Sequence, residues 1–445
     1  MRRKAILRVL SFFLFLLILL FSIIQIQSVF TIDYAKCHEH LKDFGLEKKG
    51  SIDAVYIGGS DVHSFWSPLL GWKYYGITVW NYSVDSIPVK CIKNLLVEAR
   101  KTQPDALYIF NISTFKKDST QSDMASIHRA IDLLPLSFNK IDCIRRLTTK
   151  DNYTSLEDAI EYAFPIIRFH SRWDSLNHFS YEIKDRDYKS SLHVSEFYSL
   201  VEDVSDIIEV YNDYSRVPED VMSTFIELLE YCSKEKVKVL FVKVPQAADR
   251  DQQGRMNELE EIATARGFNV VDLLEKYETL AIDLHSDFYN FMHTNIHGAI
   301  KITRYLGDYL VKHYSFKDKR GLEGWESWDQ ASEQYHKELS RYIFPFEGVT
   351  KRSNIPSPTN IKIISDEDKT TISWNNEEDA DYYEIYGYCD DRWDYIGKTD
   401  QNTFQDDIVL SHTLYTVVPI KNINGEKYYG HFDVKGVSST AGGTK

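Results

Sequence analysis

A chain of 445 residues with 43% hydrophobic and 14% aromatic side chains can bury a sizeable core, and its length points to two or three domains. Its formal charge of -14 excludes binding to a phosphate backbone through surplus Lys and Arg, so no nucleic-acid partner is expected. The five cysteines are scattered, odd in number and without CxxC spacing, so they signal neither a disulfide framework nor a zinc knuckle, and at least one thiol is unpaired unless it bridges two chains.

The first predicted element follows "MRRKAILRVL", whose basic residues are Arg2, Arg3, Lys4 and Arg8. The uncharged run from Val9 to Ile26 is long enough to cross a bilayer as a helix. The basic flank predicts a cytoplasmic N-terminus and an extracellular bulk. "IQIQSVF" lacks a small-x-small cleavage site, which favours an uncleaved single-pass anchor in the cell membrane over a signal peptide. Residues 1–30 are therefore read as cytoplasmic tip and anchor, and the polar residues 31–50 as a short stalk.

Strand-like and helix-like segments then alternate. "DAVYIGG" and "ITVWNYS" read as strands, "VKCIKNLLVEARKTQP" as a helix and "DALYIFNIS" as a strand. Next come the helical "VPEDVMSTFIELLEYCSKEK", the strand "VKVLFVKVP", a helix around "RMNELEEIATARG", the strand "FNVVDLL" and a final helix at "GAIKITRYLGDYLVKHY". This alternation predicts an α/β domain with a parallel sheet covered on both faces, spanning 31–350. The aromatic-rich stretch of about 119–215 reads as a helical insertion. Asn81, Asn111 and Asn152 each open an N-x-Ser/Thr triplet, but the first two fall in predicted strands and are treated as chance.

"RSNIPSPTN" at 352–360 is a Pro/Ser/Asn linker. Beyond it, "NIKIISDEDKTTISWN", "DYYEIYGYCD", "WDYIGKT" and "HTLYTVVPIKNINGEKYYG" predict a small all-β sandwich over 355–440. Trp374 and Tyr415 sit where a fibronectin type III module keeps its core Trp and Tyr, and the segment resembles that module. It reads as a glycan- or protein-contacting spacer.

Ligands of open parallel sheets bind beyond the carboxyl ends of the strands. Ser60, in "YIGGSDVHSFW", lies at that edge, where a helix starting nearby would offer unpaired N–H donors to an oxyanion. Val62 replaces the last glycine of a Gly-x-Ser-x-Gly elbow, and a Gly-Gly-Ser turn by itself is equally a simple strand-to-helix connection. "DFYNFMHTNIHG" carries His293 just before the final helix, at the same edge, so Ser60 and His293 are a candidate nucleophile and base. Asp61 and His63 read as turn-capping groups. Arg168, His170 and Arg172 in "RFHSRW" read either as a surface for an anionic substrate group or as a cluster holding the insertion down.

"IGGSDV", "FNIS" and "DFYNFMHTN" together resemble the SGNH/GDSL hydrolase superfamily. "FPIIRFHSRWDSL", "LLEYCSKEKVKVLFVKVP" and "HTNIHGAIKITRYLGDYL" resemble, more narrowly, anchored Firmicutes proteins related to D-alanyl-lipoteichoic acid biosynthesis, over about 50–345. The resemblance implies a flavodoxin-like three-layer α/β/α domain with no cofactor and no metal. It implies a Ser60–His293 acyl esterase or acyltransferase moving O-acetyl or D-alanyl groups on an envelope glycan or teichoic acid, beside a membrane-bound O-acyltransferase. The oxyanion donors it implies are Ser60, the backbone of Ser83, and Asn111. The family's third triad residue, an Asp three before the His, is here Asn290, while Asp287 lies six before it. Asp287 is expected to have moved into the orienting role; a Ser-His dyad with Asn290 is the other outcome.

Two rivals remain. A metallohydrolase would use His285, Asp287, His293 and His297, but the zincin glutamate is missing between the last two. A catalytically weak binding or scaffold protein would keep the fold, and Asn290 and the fibronectin-like module favour it.

Overall fold

The computed structural model describes residues 2–441 apart from 32–37, 149–155, 177–187, 192–208, 247, 283–286, 291, 343–350, 352, 354, 366–368, 390–391, 407–411, 434 and 439. Asn152, His285 and Cys37 therefore lie outside the described residues.

Helix α1 (Arg2–Phe30) contains Ile6–Gln27, a stretch of 22 residues with mean hydropathy 2.8 that is exposed as far as Phe21. It is long and apolar enough to cross a membrane. The expected stalk is shorter than its polarity suggests. From residue 38 the chain makes two short helical turns, His38–Lys42 and Asp43–Leu46, that bury His40, Leu41 and Phe44. The Phe44 ring packs on Trp80 and Tyr82, with centroids 5.8 and 4.9 Å away, and Trp80 Nε1 donates to the His40 carbonyl at 3.0 Å. The Phe44 ring and the buried Leu41 dock the segment, and Asp43 is buried with them.

The strands and helices then alternate as expected: β1 (Ala54–Gly58), α2 (Ser60–Phe65), α3 (Pro68–Tyr75), β2 (Val79–Ser83), α4 (Ile92–Thr102) and β3 (Leu107–Asn111). The insertion holds α5 (Met124–Ile131), α6 (Phe138–Leu147), α7 (Leu156–Ala163) and α8 (Ile166–Phe169), followed by a helical turn at His170–Asp174. The alternation resumes with α9 (Glu219–Lys234), β4 (Val239–Lys243), α10 (Arg250–Ala265) and β5 (Asn269–Asp272). A short hairpin, β6 (Phe288–Asn290) and β7 (His293–Thr294), leads into α11 (Ile296–Tyr314), and α12 (Glu326–Tyr342) follows.

All pairings among β1–β5 are parallel, in the order β2-β1-β3-β4-β5. Every residue of β1, β2, β3 and β4 is buried, the signature of a sheet with helices on both faces. The chain reverses direction across the sheet between β1 and β3. Their carboxyl ends therefore open the crevice in which doubly wound sheets bind ligands.

Beyond residue 355 the structure is all β. One sheet runs β11-β10-β13-β14 (Arg392–Thr399, Tyr382–Cys389, Leu414–Ile423, Glu426–Tyr429). The other runs β12-β9-β8-β15 (Thr403–Asp406, Thr370–Ser373, Lys362–Ser365, Thr440–Ala441), with β15 parallel to β8. Trp374 and Tyr415 are both buried in the cluster between the sheets, and Trp374 meets Tyr383 edge-on at 5.2 Å.

Candidate active site

The glycines before Ser60 are explained by close approach. A Cβ on Gly58 would stand 2.6 Å from Val62 Cγ2, and one on Gly59 would stand 3.0 Å from Asp61 Oδ1. Only a strand end without side chains lets α2 begin immediately at its tip. Gly59 is the N-cap, so Ser60 is the first helical residue and its hydroxyl stands at the mouth of the crevice. The first-turn N–H groups of Ser60 and Asp61 have no intrahelical acceptor.

His293 comes to this serine on the β6–β7 hairpin. Ser60 Oγ and His293 Nε2 are 2.7 Å apart, across 233 residues of chain. On the far side of the ring, His293 Nδ1 lies 2.9 Å from Asn290 Oδ1. The same oxygen accepts from the backbone N–H groups of Met292 at 2.9 Å and His293 at 3.0 Å, which fixes the amide's orientation. An acceptor oxygen at Nδ1 requires the proton there, so Nε2 presents its lone pair to the serine hydroxyl. Tyr289 stacks on the imidazole at 5.4 Å with the planes 10° apart. Thr294 Oγ1 donates to the Ser64 carbonyl, tying the hairpin to α2. Asn295 caps α11 by accepting from His297 N at 2.9 Å.

Asp287 does not take the orienting place expected of it. It is fully buried at the start of the hairpin, where Lys301 Nζ meets its Oδ2 at 2.7 Å and its carbonyl accepts from Asn295 N at 2.8 Å. Lys301, one turn into α11, holds the carboxylate, and the ring nitrogen is left to Asn290. His293 and His297 lie in β7 and α11, so they share no helical face for a metal.

The oxyanion expectations also change. Ser83 N–H has the same parity as Asn81 N–H, which bonds Ser190 Oγ at 2.9 Å on the open edge of β2, whereas Val84 N–H bonds Gly58. Successive strand amides alternate in direction, so the Ser83 amide points away from β1 and the Ser60 turn. Its hydroxyl instead lies 2.8 Å from His40 Nδ1 and 3.3 Å from His63 Nδ1, in a buried cluster that includes His63 Nε2 at 3.5 Å from Asp85. Asn111, fully buried at the end of β3, spends one amide hydrogen on Asp61 Oδ2. Ser113 Oγ donates to the same Asp61 oxygen at 2.8 Å, and Gln246 Nε2 donates to Ser113 at 3.1 Å. Lys116 donates to Gln246, and burial pushes its ammonium down to about 8, partly opposed by the Asp61 charge. Asp61 is thus the hub of a network joining the ends of β1, β3 and β4, more than a local cap. Only its place beside Ser60 hinted at this in the sequence, and Gln246 and Lys116 carried no signal at all.

The "RFHSRW" residues take partners in the insertion and the anchor. Arg172 donates to the Phe30 carbonyl at 2.7 Å, closing the end of α1. His170 Nδ1 lies 2.7 Å from the Ile167 carbonyl, and Arg168 lies 3.9 Å from Glu161.

Neither a protein-family model nor a curated protein sequence matches the chain. Among solved structures it is similar to fibronectin type III-like proteins. These are FN3tt (18% identity, 86% of that chain), a variant of FN3tt (22%, 88%) and an Fn3-like protein from Clostridium thermocellum (19%, 90%). Each match covers 18% of this chain with a TM-score of 0.15.

Proposed function

We propose that the chain is a membrane-anchored, extracytoplasmic serine acyl esterase or acyltransferase of SGNH type, acting on O-acetyl or D-alanyl groups of an envelope glycan or teichoic acid. The contact between Ser60 Oγ and His293 Nε2 at 2.7 Å carries this reading, because it is the pairing an activated serine needs and it is made at the β1/β3 crevice. Ser60 attacks the acyl carbonyl while Nε2 takes its proton. The Ser60–acyl bond forms as the carbonyl π bond opens, and the oxyanion faces the first-turn amides of α2. His293 then returns the proton to the leaving alcohol. Water or a second hydroxyl completes the cycle, giving hydrolysis or transfer.

Asn290 favours a second reading. Its amide orients the imidazole but brings no negative charge to the imidazolium, which suits a slow enzyme or a scaffold working beside an O-acyltransferase. A fluorophosphonate probe on the full-length protein separates the two. The enzyme reading expects covalent labelling that disappears in Ser60→Ala. A folded wild-type protein that stays unlabelled, and that turns over no acyl ester, would remove the enzyme reading and leave the scaffold.

A further inference from the structure

Two of the cysteines meet. Cys91 ends the helical turn Val89–Cys91 ahead of α4, and Cys143 lies in the middle of α6 in the insertion. Their Sγ atoms are 3.3 Å apart and both side chains are fully buried. Nothing in the spacing of 52 residues announces this pair.

The seam that brings them together is held along its length. Asn94 Nδ2 donates to Asn139 Oδ1 at 3.0 Å and to Asp142 Oδ2 at 3.1 Å, and Asn139 Nδ2 returns a bond to the Asn94 carbonyl at 2.9 Å. Arg146 Nε donates to the Lys90 carbonyl at 3.2 Å, next to Cys91 itself. The helices on either side are therefore fixed in register, and the sulfurs face each other because of it. A disulfide bond is about 2.05 Å long, so side-chain rotation need close only about 1.2 Å from the 3.3 Å seen here.

We propose that Cys91 and Cys143 are joined as a structural disulfide in the mature protein. This rests on the extracytoplasmic placement proposed above, since such bonds persist outside the reducing cytosol. The oxidant is by class a disulfide of an extracytoplasmic thiol–disulfide oxidoreductase. One cysteine thiolate attacks that disulfide and expels a thiolate, and the second cysteine then resolves the mixed disulfide. Two protein thiols are oxidised to one bond, and the oxidant's disulfide is reduced to two thiols. Because both sulfurs are sealed from solvent once α6 docks, the exchange takes place on the incompletely folded chain. Burial also pushes the Cys91 thiol up, which makes the folded, reduced pair unreactive.

The cross-link acts close to the nucleophile. Ile87 lies four residues before Cys91, and its Cγ2 stands 3.6 Å from where a Gly59 Cβ would be. Lys117 Nζ holds the Ile87 carbonyl at 2.8 Å. The bond thereby pins the loop that walls the Ser60 turn to the helical insertion. Cys232, buried in α9, has its thiol pushed up to about 12 by burial and is expected to stay reduced.

The test is peptide mapping of the full-length protein, extracted from membranes into acid with N-ethylmaleimide and digested without reductant. The expected result is the 91 and 143 peptides recovered joined, lighter by two hydrogens, and maleimide found on Cys232. Reductant should lower Tm by on the order of 5–10 °C for a loop of this size, and Cys91→Ala/Cys143→Ala should melt low with or without it. Maleimide on both Cys91 and Cys143, in protein that external protease digests on whole cells, overturns the disulfide and leaves the extracellular placement standing. Protection of the domain from that protease overturns the placement, and the disulfide with it.

Discussion

The crevice of the α/β domain and the C-terminal sandwich treat buried polar groups in opposite ways. At the ends of β1, β3 and β4 the polar side chains converge from distant parts of the chain on one crevice, with Ser60 and His293 both half-exposed at its mouth. In the sandwich the buried Glu384 is covered over, by the Tyr386 hydroxyl and by the ammonium of a half-buried Lys427. A polar network that keeps one side open to solvent is suited to chemistry, and one closed on itself is suited to specifying strand register. The first domain therefore has residues whose loss should cost turnover and little stability. The second has residues whose loss should cost stability and no turnover.

The sharpest break in this contrast would come from Ser60→Ala. Its hydroxyl is hydrogen-bonded to His293 at the half-exposed mouth of the crevice, so acyl-ester turnover should fall at least about a thousandfold while Tm stays within about 2 °C. Undiminished turnover in a folded variant would discard the site. Trp374→Ala is the mirror experiment. Truncating a buried Trp typically costs about 3–5 kcal/mol, so the sandwich should unfold at markedly lower denaturant, with fluorophosphonate labelling at Ser60 unchanged. Lost labelling would mean that the two domains are coupled.

Asp287 and Asn290 bring the same contrast inside one hairpin. Asp287→Asn removes the charge that Lys301 faces at 2.7 Å with the carboxylate fully buried, so about 3 kcal/mol of stability should go. The rate per folded molecule should change little. Asn290→Asp works the other way. A carboxylate oxygen can accept the same three hydrogen bonds and adds a charge beside the imidazolium, so kcat should rise about ten- to a hundredfold with stability nearly unchanged. A hundredfold loss in Asp287→Asn, with Asn290→Asp inert, would restore Asp287 as the orienting group.

How far the sequence could be read depended on the range of the forces involved. The β/α alternation was legible because β1, β3 and β4 are nearly continuous apolar runs and the long helices carry a repeating apolar stripe. Ser60 and His293 were readable as candidates from the chain's order, since a parallel sheet puts both connections at one edge, and their roles came from the motif resemblance. The hairpin Phe288–Thr294 was invisible, because strands of three and two residues carry no period. The partner of Asp287 was equally hidden. Lys301 is its neighbour only because α11 turns back over the hairpin, a tertiary fact with no local signature. Helix Glu326–Tyr342 was missed because its buried stripe is one residue wide, Trp328, Ala331, Tyr335 and Leu339, in an otherwise polar segment.

The smallest expected effect probes the insertion through its pH dependence. Lys140, in α6, is buried with Nζ 3.1 Å from the Leu134 carbonyl, and burial pushes its ammonium down to about 8, partly offset by Asp132. An exposed lysine titrates near 10.4, so between about pH 8 and 10.4 the unfolded chain holds a proton that the folded chain has released. Unfolding then takes up a proton. The contribution of Lys140 to stability therefore rises with pH through that window, by about 1.4 kcal/mol per pH unit at most, and is flat below it where both states are charged. Cys232 works with the opposite sign. Its thiol is pushed up to about 12, so the folded chain keeps a proton that the unfolded chain loses near pH 8.5, and stability falls as pH rises. The wild-type curve mixes both, and the informative quantity is the difference between wild type and Lys140→Met in denaturant melts from pH 7 to 10. That difference should shift in favour of wild type as pH rises above 8. A difference independent of pH would mean that Lys140 keeps its ordinary affinity for the proton, and that α6 packs on α4 and its neighbouring helices more openly than its buried lysine implies.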